Sequence, residues 1–465
     1  GRAWPDDGTL VGPPSDRPAE TRTPLTAPPT FTPPCGPITG WADRAVLRAT
    51  GIPYAHAHRF SAPTPVADWS TPLAATSWSP GCPQAPVKFF ERVLGATSDG
   101  LDQDEHCQHL SITLPTDVRP GAGLPVMVWI HGGSYASGAG DLAIMDPAPL
   151  VAQEHLVVVS VTYRLGLFGY LGDGGDRPAN LGLLDQIAAL RWVQRNIAAF
   201  GGNPGNVTVF GQSAGGDAVA HLMATPEAAG LLRRAIIQSA PLGITRGRAK
   251  MYKAMAEATR DVTPEMPAAD VVARQTAATR RILRFGLKAA MPFGTQYGHD
   301  PLPSENAVPA AWEAVAPDID VLIGHTSEEV RLFLPTLPAF HRITAIPLVG
   351  ELIRRAVVAA FTTAVYTRPA KRFARRHTRA GGRAHRYLIT FSAPGNDHGA
   401  AHTIDLPLLF GDEKAWQHAE LIAGATWAQI TEAATALRHL WAEFARGHPL
   451  PDRGDIPGVL HHRRA

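Results

Sequence analysis

Cysteine is scarce in this chain, net charge is nearly absent, and long apolar runs are missing. Cys35, Cys82 and Cys107 are the only cysteines in 465 residues, too few for a disulfide framework. The 43 Lys and Arg against 41 Asp and Glu leave a formal net charge of +2. That balance lacks the electrostatic footprint of a general nucleic-acid binder. No stretch of about 18 consecutive apolar residues occurs, which excludes a membrane-spanning helix. The start of the chain shows no basic segment followed by an apolar one, so a signal peptide is expected to be absent or removed.

What is abundant is proline and glycine, 42 and 44 residues respectively. Nine of the prolines fall in the first 34 positions. With little apolar material to offset its ordering entropy, the stretch 1–35 is expected to be an extended or disordered arm. From there the texture changes. Pro125–Ile130, Leu156–Val161, Val207–Phe210 and Tyr387–Phe391 are short apolar runs rich in β-branched and aromatic residues, and a further strand is expected after Leu231. Leu183–Ile197 carries apolar residues at helical spacing, and a second helix follows around Ala218–Met223. Strands alternating with helices predict an α/β fold, with a mostly parallel sheet covered on both faces. One segment stands apart: residues 353–386 contain ten Lys and Arg. A solvated helix face is the plain reading of that cluster, and an anionic docking surface is the alternative.

Two short motifs carry chemistry. Gly211-Gln212-Ser213-Ala214-Gly215 follows one strand and precedes a helix, the setting in which flanking glycines lift a serine hydroxyl clear of a sharp turn. His131-Gly132-Gly133-Ser134 follows the strand ending at Ile130. Small residues there let backbone N–H groups approach an oxyanion.

On these motifs the chain resembles the type-B carboxylesterases, the carboxylesterase and cholinesterase group of the α/β-hydrolase fold, from about Gly36 to roughly residue 445. Further matching stretches are Gly51–Ala55, Gly81–Gln84, Thr162–Gly166, Asn180–Gln186, Phe200–Pro204 and Ala235–Ser239. The resemblance implies a single domain over 36–450 with helical insertions above the active site, followed by a short tail over 451–465. It also implies a Ser-Glu-His triad. Ser213 takes the nucleophile's place. In Gly324-His325-Thr326-Ser327-Glu328-Glu329 the spacing selects Glu329 over Glu328. Gly399-Ala400-Ala401-His402, followed by Asp405-Leu406-Pro407, selects His402, with His398 as its rival. The oxyanion donors would be the backbone N–H groups of Gly133, Ser134 and Ala214.

The resemblance further implies ion pairs between Arg59 and Glu105 and between Arg164 and Asp185. It implies a disulfide joining Cys82 and Cys107, worth roughly 3–4 kcal/mol if closed. A bridged pair would fit an extracytoplasmic protein; without a visible signal peptide the cytoplasm is the expectation. The implied chemistry is hydrolysis of small to medium neutral esters by a monomer or dimer, with no metal and no cofactor. A non-catalytic binding protein on the same fold is the alternative, and the presence of Ser213, Glu329 and His402 argues against it. Four residues depart from the family pattern: Ser134 for a frequent glycine, Gln212 for a frequent glutamate, Asn203 for a frequent aspartate, and Asp217 for a small or apolar residue. The loss of an acid at 212 puts cationic-alcohol esters in doubt. Pro335, Pro338 and Phe340 suggest an apolar loop that would line the site.

Overall fold

The run Val157-Val-Val-Ser-Val161 has no exposed side chain on either face, which is what a strand at the centre of a covered sheet requires. In the computed structural model, which describes residues 27–95, 100–334 and 350–465, it belongs to an eleven-stranded sheet. Read from one edge, the strands are Arg453–Ile456, Leu460–Arg464, Ala384–Ile389, Asp320–Thr326, Arg234–Gln238, Gly202–Gln212, Leu124–Ile130, Val157–Val161, His109–Pro115, Val46–Pro53 and Trp41–Asp43. The six from Ala384–Ile389 to Val157–Val161 pair in parallel, and antiparallel strands flank them on both sides.

Alternation along each strand divides the core in two. Val126, Val128 and Ile130 pack on one face with Leu183, Ile187, Leu190 and Val193 of the helix Leu181–Asn196. Met127 and Trp129 pack on the other with Ile430, Leu437 and Trp441 of the helix Trp427–Arg446. That second helix is bounded by local chemistry. Thr426 and Gln429 form a capping box at its start, and Gly447 in the left-handed region closes it.

Three expectations differ from what is found. Residues 451–465 are not a tail: Arg453–Ile456 and Leu460–Arg464 form the sheet's last two strands, with Leu460 buried. The arm ends earlier than residue 35, because Thr30–Phe31 pairs with Ile38–Thr39 and Phe31 is buried 4.6 Å from the Phe200 ring. Residues 1–26 of the expected arm lie outside the described residues. Cys82 and Cys107 are separate buried thiols in place of the expected bridge. The Leu165 N–H donates to Cys82 Sγ at 3.3 Å, and burial, then the neighbouring Cys82 thiol, push the Cys107 thiol well above its usual range. Three thiols per chain are therefore expected to react with a thiol reagent after denaturation without reductant; a count of one would mean the pair is oxidised.

Both expected ion pairs are present. Arg164 donates from Nε to Asp185 Oδ2 at 2.9 Å and from Nη2 to Oδ1 at 2.8 Å, with neither residue exposed. Arg59 donates from Nε to Glu105 Oε2 at 2.8 Å in a partly buried pair. No helix among the described residues is long and apolar enough to cross a membrane.

Candidate active site

The strand Gly202–Gln212 ends in a turn at Ser213, and the helix Ala214–Leu222 begins directly after it. Ser213 has φ 59° and ψ −123°, a conformation L residues rarely adopt. Its own N–H donates to Gln238 O at 2.9 Å, and its carbonyl accepts from Asp217 N at 2.9 Å. Glycine is required on both sides. A Cβ at Gly215 would sit 2.0 Å from Ile130 O, and one at Gly211 would sit 2.5 Å from Gly215 O; these are backbone atoms that cannot give way.

The turn after Ile130 packs against this elbow. Gly133 O accepts from the N–H groups of Ala136 and Ser137, each at 3.0 Å. Among the described residues nothing accepts a hydrogen bond from the N–H of Gly133, Ser134 or Ala214. Ser134 and Tyr135 both hold left-handed φ values, 56° and 58°, which costs roughly 1–2 kcal/mol per residue. The contact that offsets this strain is one the sequence did not reveal. The buried Tyr135 hydroxyl donates to Asp217 Oδ2 at 2.6 Å, tying the turn to the helix that carries Ser213. The atypical Asp217 thus has a structural partner. It has a second in His221, whose Nδ1 lies 3.4 Å from Oδ2. Burial alone would lower the His221 pKa, but Tyr297 and Asp217 outweigh it and push the imidazole up to about 10.

Glu329 follows the strand Asp320–Thr326, and His402 lies in the loop after Ala384–Ile389, so parallel pairing of these strands brings the two together. His402 Nδ1 hydrogen-bonds Glu329 Oε2, and both side chains are buried. Glu329 Oε1 also accepts from Thr326 N at 2.7 Å. Burial by itself would raise the Glu329 carboxyl, but His402, and beyond it His325, hold it below the ordinary carboxylate range. On its other side His402 turns Nε2 toward the elbow, where the Gln212 amide nitrogen lies 3.4 Å away. The rivals are engaged elsewhere. Glu328 binds Arg331 at 2.6 Å, and His398 lies 3.7 Å from Glu420. The rings of Phe333 and Tyr366 flank His402, each with its centroid at 5.6 Å. Tyr366 comes from a π-helical segment, Thr363–Thr367, between two α-helices. Such bulges gather at functional sites, and nothing local in the sequence marks this one. The expected lining loop at Pro335, Pro338 and Phe340 lies outside the described residues.

Residues 28–346 match the carboxylesterase family. The chain belongs to that family. This esterase is 37% identical over 430 residues to a probable N-octanoylanthranilate hydrolase of Rhodococcus erythropolis, covering 91% of this chain and 94% of the relative. It is 33% identical to the para-nitrobenzyl esterase of Bacillus subtilis, with 92% of each chain covered. Among solved structures it matches a thermophilic para-nitrobenzyl esterase with a TM-score of 0.76 at 29% identity, over 92% of this chain and 93% of that one. It is a carboxylic ester hydrolase on the α/β-hydrolase fold.

Beneath the esterase's site lies a buried carboxyl. Asp405 Oδ2 accepts from Gln238 Nε2 at 2.6 Å, and Trp441 Nε1 donates to Gln238 Oε1 at 3.0 Å. Asp405 Oδ1 has no hydrogen-bond partner among the described residues. Burial pushes this carboxyl up from 3.8 to about 6. A folded-state value above the unfolded one means stability that is complete below about pH 4 and lost as pH rises through 6. The shift corresponds to roughly 2–3 kcal/mol. Asp405→Asn is therefore expected to gain about that much unfolding free energy relative to wild type between pH 4 and pH 8. Urea titrations at the two pH values measure it, and a wild-type-to-variant difference that does not move with pH contradicts it.

Proposed function

We propose that this esterase hydrolyses small to medium neutral carboxylic esters through an acyl-enzyme on Ser213. Ser213 Oγ attacks the acyl carbon while His402 Nε2 takes its proton; the same imidazole then protonates the leaving alcohol. Glu329 holds the proton on Nδ1 and stabilises the imidazolium that forms. The N–H groups of Gly133, Ser134 and Ala214, unspent among the described residues, would receive the developing oxyanion. Water then repeats the sequence on the acyl-enzyme and releases the acid.

The observation that carries this reading is the buried Glu329–His402 pair with Nε2 directed at the elbow. The similarity to a para-nitrobenzyl esterase supports a benzyl ester as a test substrate. The acyl side is expected to be apolar, because Phe333 and Tyr366 stand beside the imidazole.

Labelling with a fluorophosphonate tests the mechanism. One adduct per chain is expected, on the peptide containing Ser213, and its formation should abolish turnover of a p-nitrophenyl ester. A panel of p-nitrophenyl esters from acetate to decanoate then reads the acyl preference, with the highest kcat/KM expected at short to medium lengths. An adduct on another residue, or full activity after stoichiometric labelling, overturns the assignment.

A further inference from the structure

The arginine-rich segment takes no part in this chemistry, and its last member, Arg386, stands on the third strand from one edge of the sheet. In consecutive antiparallel pairings Arg386 is opposite Arg463, and Arg463 is opposite Arg453. Residues directly opposite one another project from the same face, about 5 Å apart at Cβ. Three guanidinium groups therefore stand in one row across three strands, an arrangement in which like charges repel.

Among the described residues no ion pair joins Arg386, Arg453 or Arg463 to an acid, although Asp452 lines the same hollow. Asp452 lies 3.5 Å from Arg464, outside the row. Asp455, two residues along the same strand from Arg453, is held by His461 at 2.7 Å. Arg386 Nε is buried and has no hydrogen-bond partner among the described residues. Burial, then the charges of Arg463 and of Arg375 on the helix Arg368–Arg379, lower the Arg386 pKa. The row lines an open hollow of about 580 Å³, together with Asp452, Arg464 and Ala465. The strand bearing Arg386 is three strands removed from the one that ends at Ser213, so the hollow is separate from the ester site.

We propose that this row binds a tetrahedral oxyanion, either free phosphate or the phosphoryl group of a phosphomonoester. Guanidinium forks match the geometry of such oxygens, and an anion seated against Arg463 faces a cation on each side. Bound there, it would turn a repulsive row into a bridged one.

Calorimetric titration of the full chain with inorganic phosphate, at ionic strength held constant with sodium chloride, is expected to show one saturable site. The melting temperature should rise in parallel. Arg463→Ala and Arg453→Ala should each weaken phosphate binding about tenfold or more. Arg372→Ala, exposed on the neighbouring helix, should leave it unchanged. Without phosphate, Arg463→Ala should melt no lower than wild type, since it removes the repulsion at the centre of the row.

Glycerol 1-phosphate run in parallel separates the two sources of the ligand. Binding of both anions assigns the site to a phosphoryl group, and binding of inorganic phosphate alone assigns it to the free anion. Absence of a saturable site overturns the proposal, as does equal phosphate affinity in wild type and Arg463→Ala.

Discussion

Ser213→Ala is expected to lower kcat on a p-nitrophenyl ester by about 10⁶-fold, the scale seen when a nucleophile is lost from a hydroxyl–imidazole pair. His402→Ala should lose about as much, because in the proposed mechanism the Ser213 hydroxyl attacks only as its proton is taken. The double variant should be no worse than either single one. That lack of additivity is the sharper test, since two residues acting separately would multiply their losses. Glu329→Gln should cost less, roughly 10⁴-fold, because the imidazole keeps its place but not its preferred tautomer. Folding is not at issue for Ser213→Ala, where one hydroxyl is removed from a half-buried side chain. Near-wild-type kcat in either single variant would remove that residue from the mechanism, and circular dichroism would verify that each variant is folded.

The largest expected effect on stability lies at Asp185. Asp185→Ala leaves the Arg164 guanidinium buried with both of its Asp185 bonds gone. Breaking a buried pair from one side costs about 3–5 kcal/mol. Urea unfolding should show that loss as a lower midpoint at unchanged slope. The loss should reach the active site as well. Two residues after Arg164, the Gly166 N–H donates to Tyr135 O at 2.6 Å, and Tyr135 follows the turn that faces Ser213. Replacing both partners together, Arg164→Met with Asp185→Leu, should recover part of the stability, because no charge is then left unpaired. A loss below about 1 kcal/mol for Asp185→Ala would place the pair among weak surface contacts.

Much of this was legible in the residues because it depends on local chemistry. The elbow could be read at Ser213 because only glycine fits at 211 and 215, where a side chain would strike backbone atoms. The parallel strands could be read because burial on both faces demands unbroken apolar runs such as Val157–Val161. The spacing from Gly324 favoured Glu329, and Glu328 is turned instead to Arg331 and to the Ala400 N–H.

Other features depend on contacts between distant segments, and local pattern carries no signal for them. Asp217 looked like an anomaly of the helix; its partner Tyr135 lies 82 residues away in sequence. Tyr366 reaches His402 only because a π-helical segment interrupts its helix. The family resemblance stopped short of Arg453–Arg464 and left a tail there, yet these residues complete the sheet, because an edge strand needs only one buried row.

The sequence by itself determined the chemical groups available, the alternation of strand and helix, and the turns in which glycine has no substitute, since each follows from the sterics or burial of neighbouring residues. Only the tertiary structure decided which groups meet. It set Glu329 against His402 and turned His402 toward the elbow of Ser213, it left Cys82 and Cys107 as adjacent thiols, and it aligned Arg386, Arg463 and Arg453 in one row. The reason is physical. Strand order and register come from packing the two faces of the whole sheet at once, and a shift of one residue would send every side chain of a strand to the opposite face.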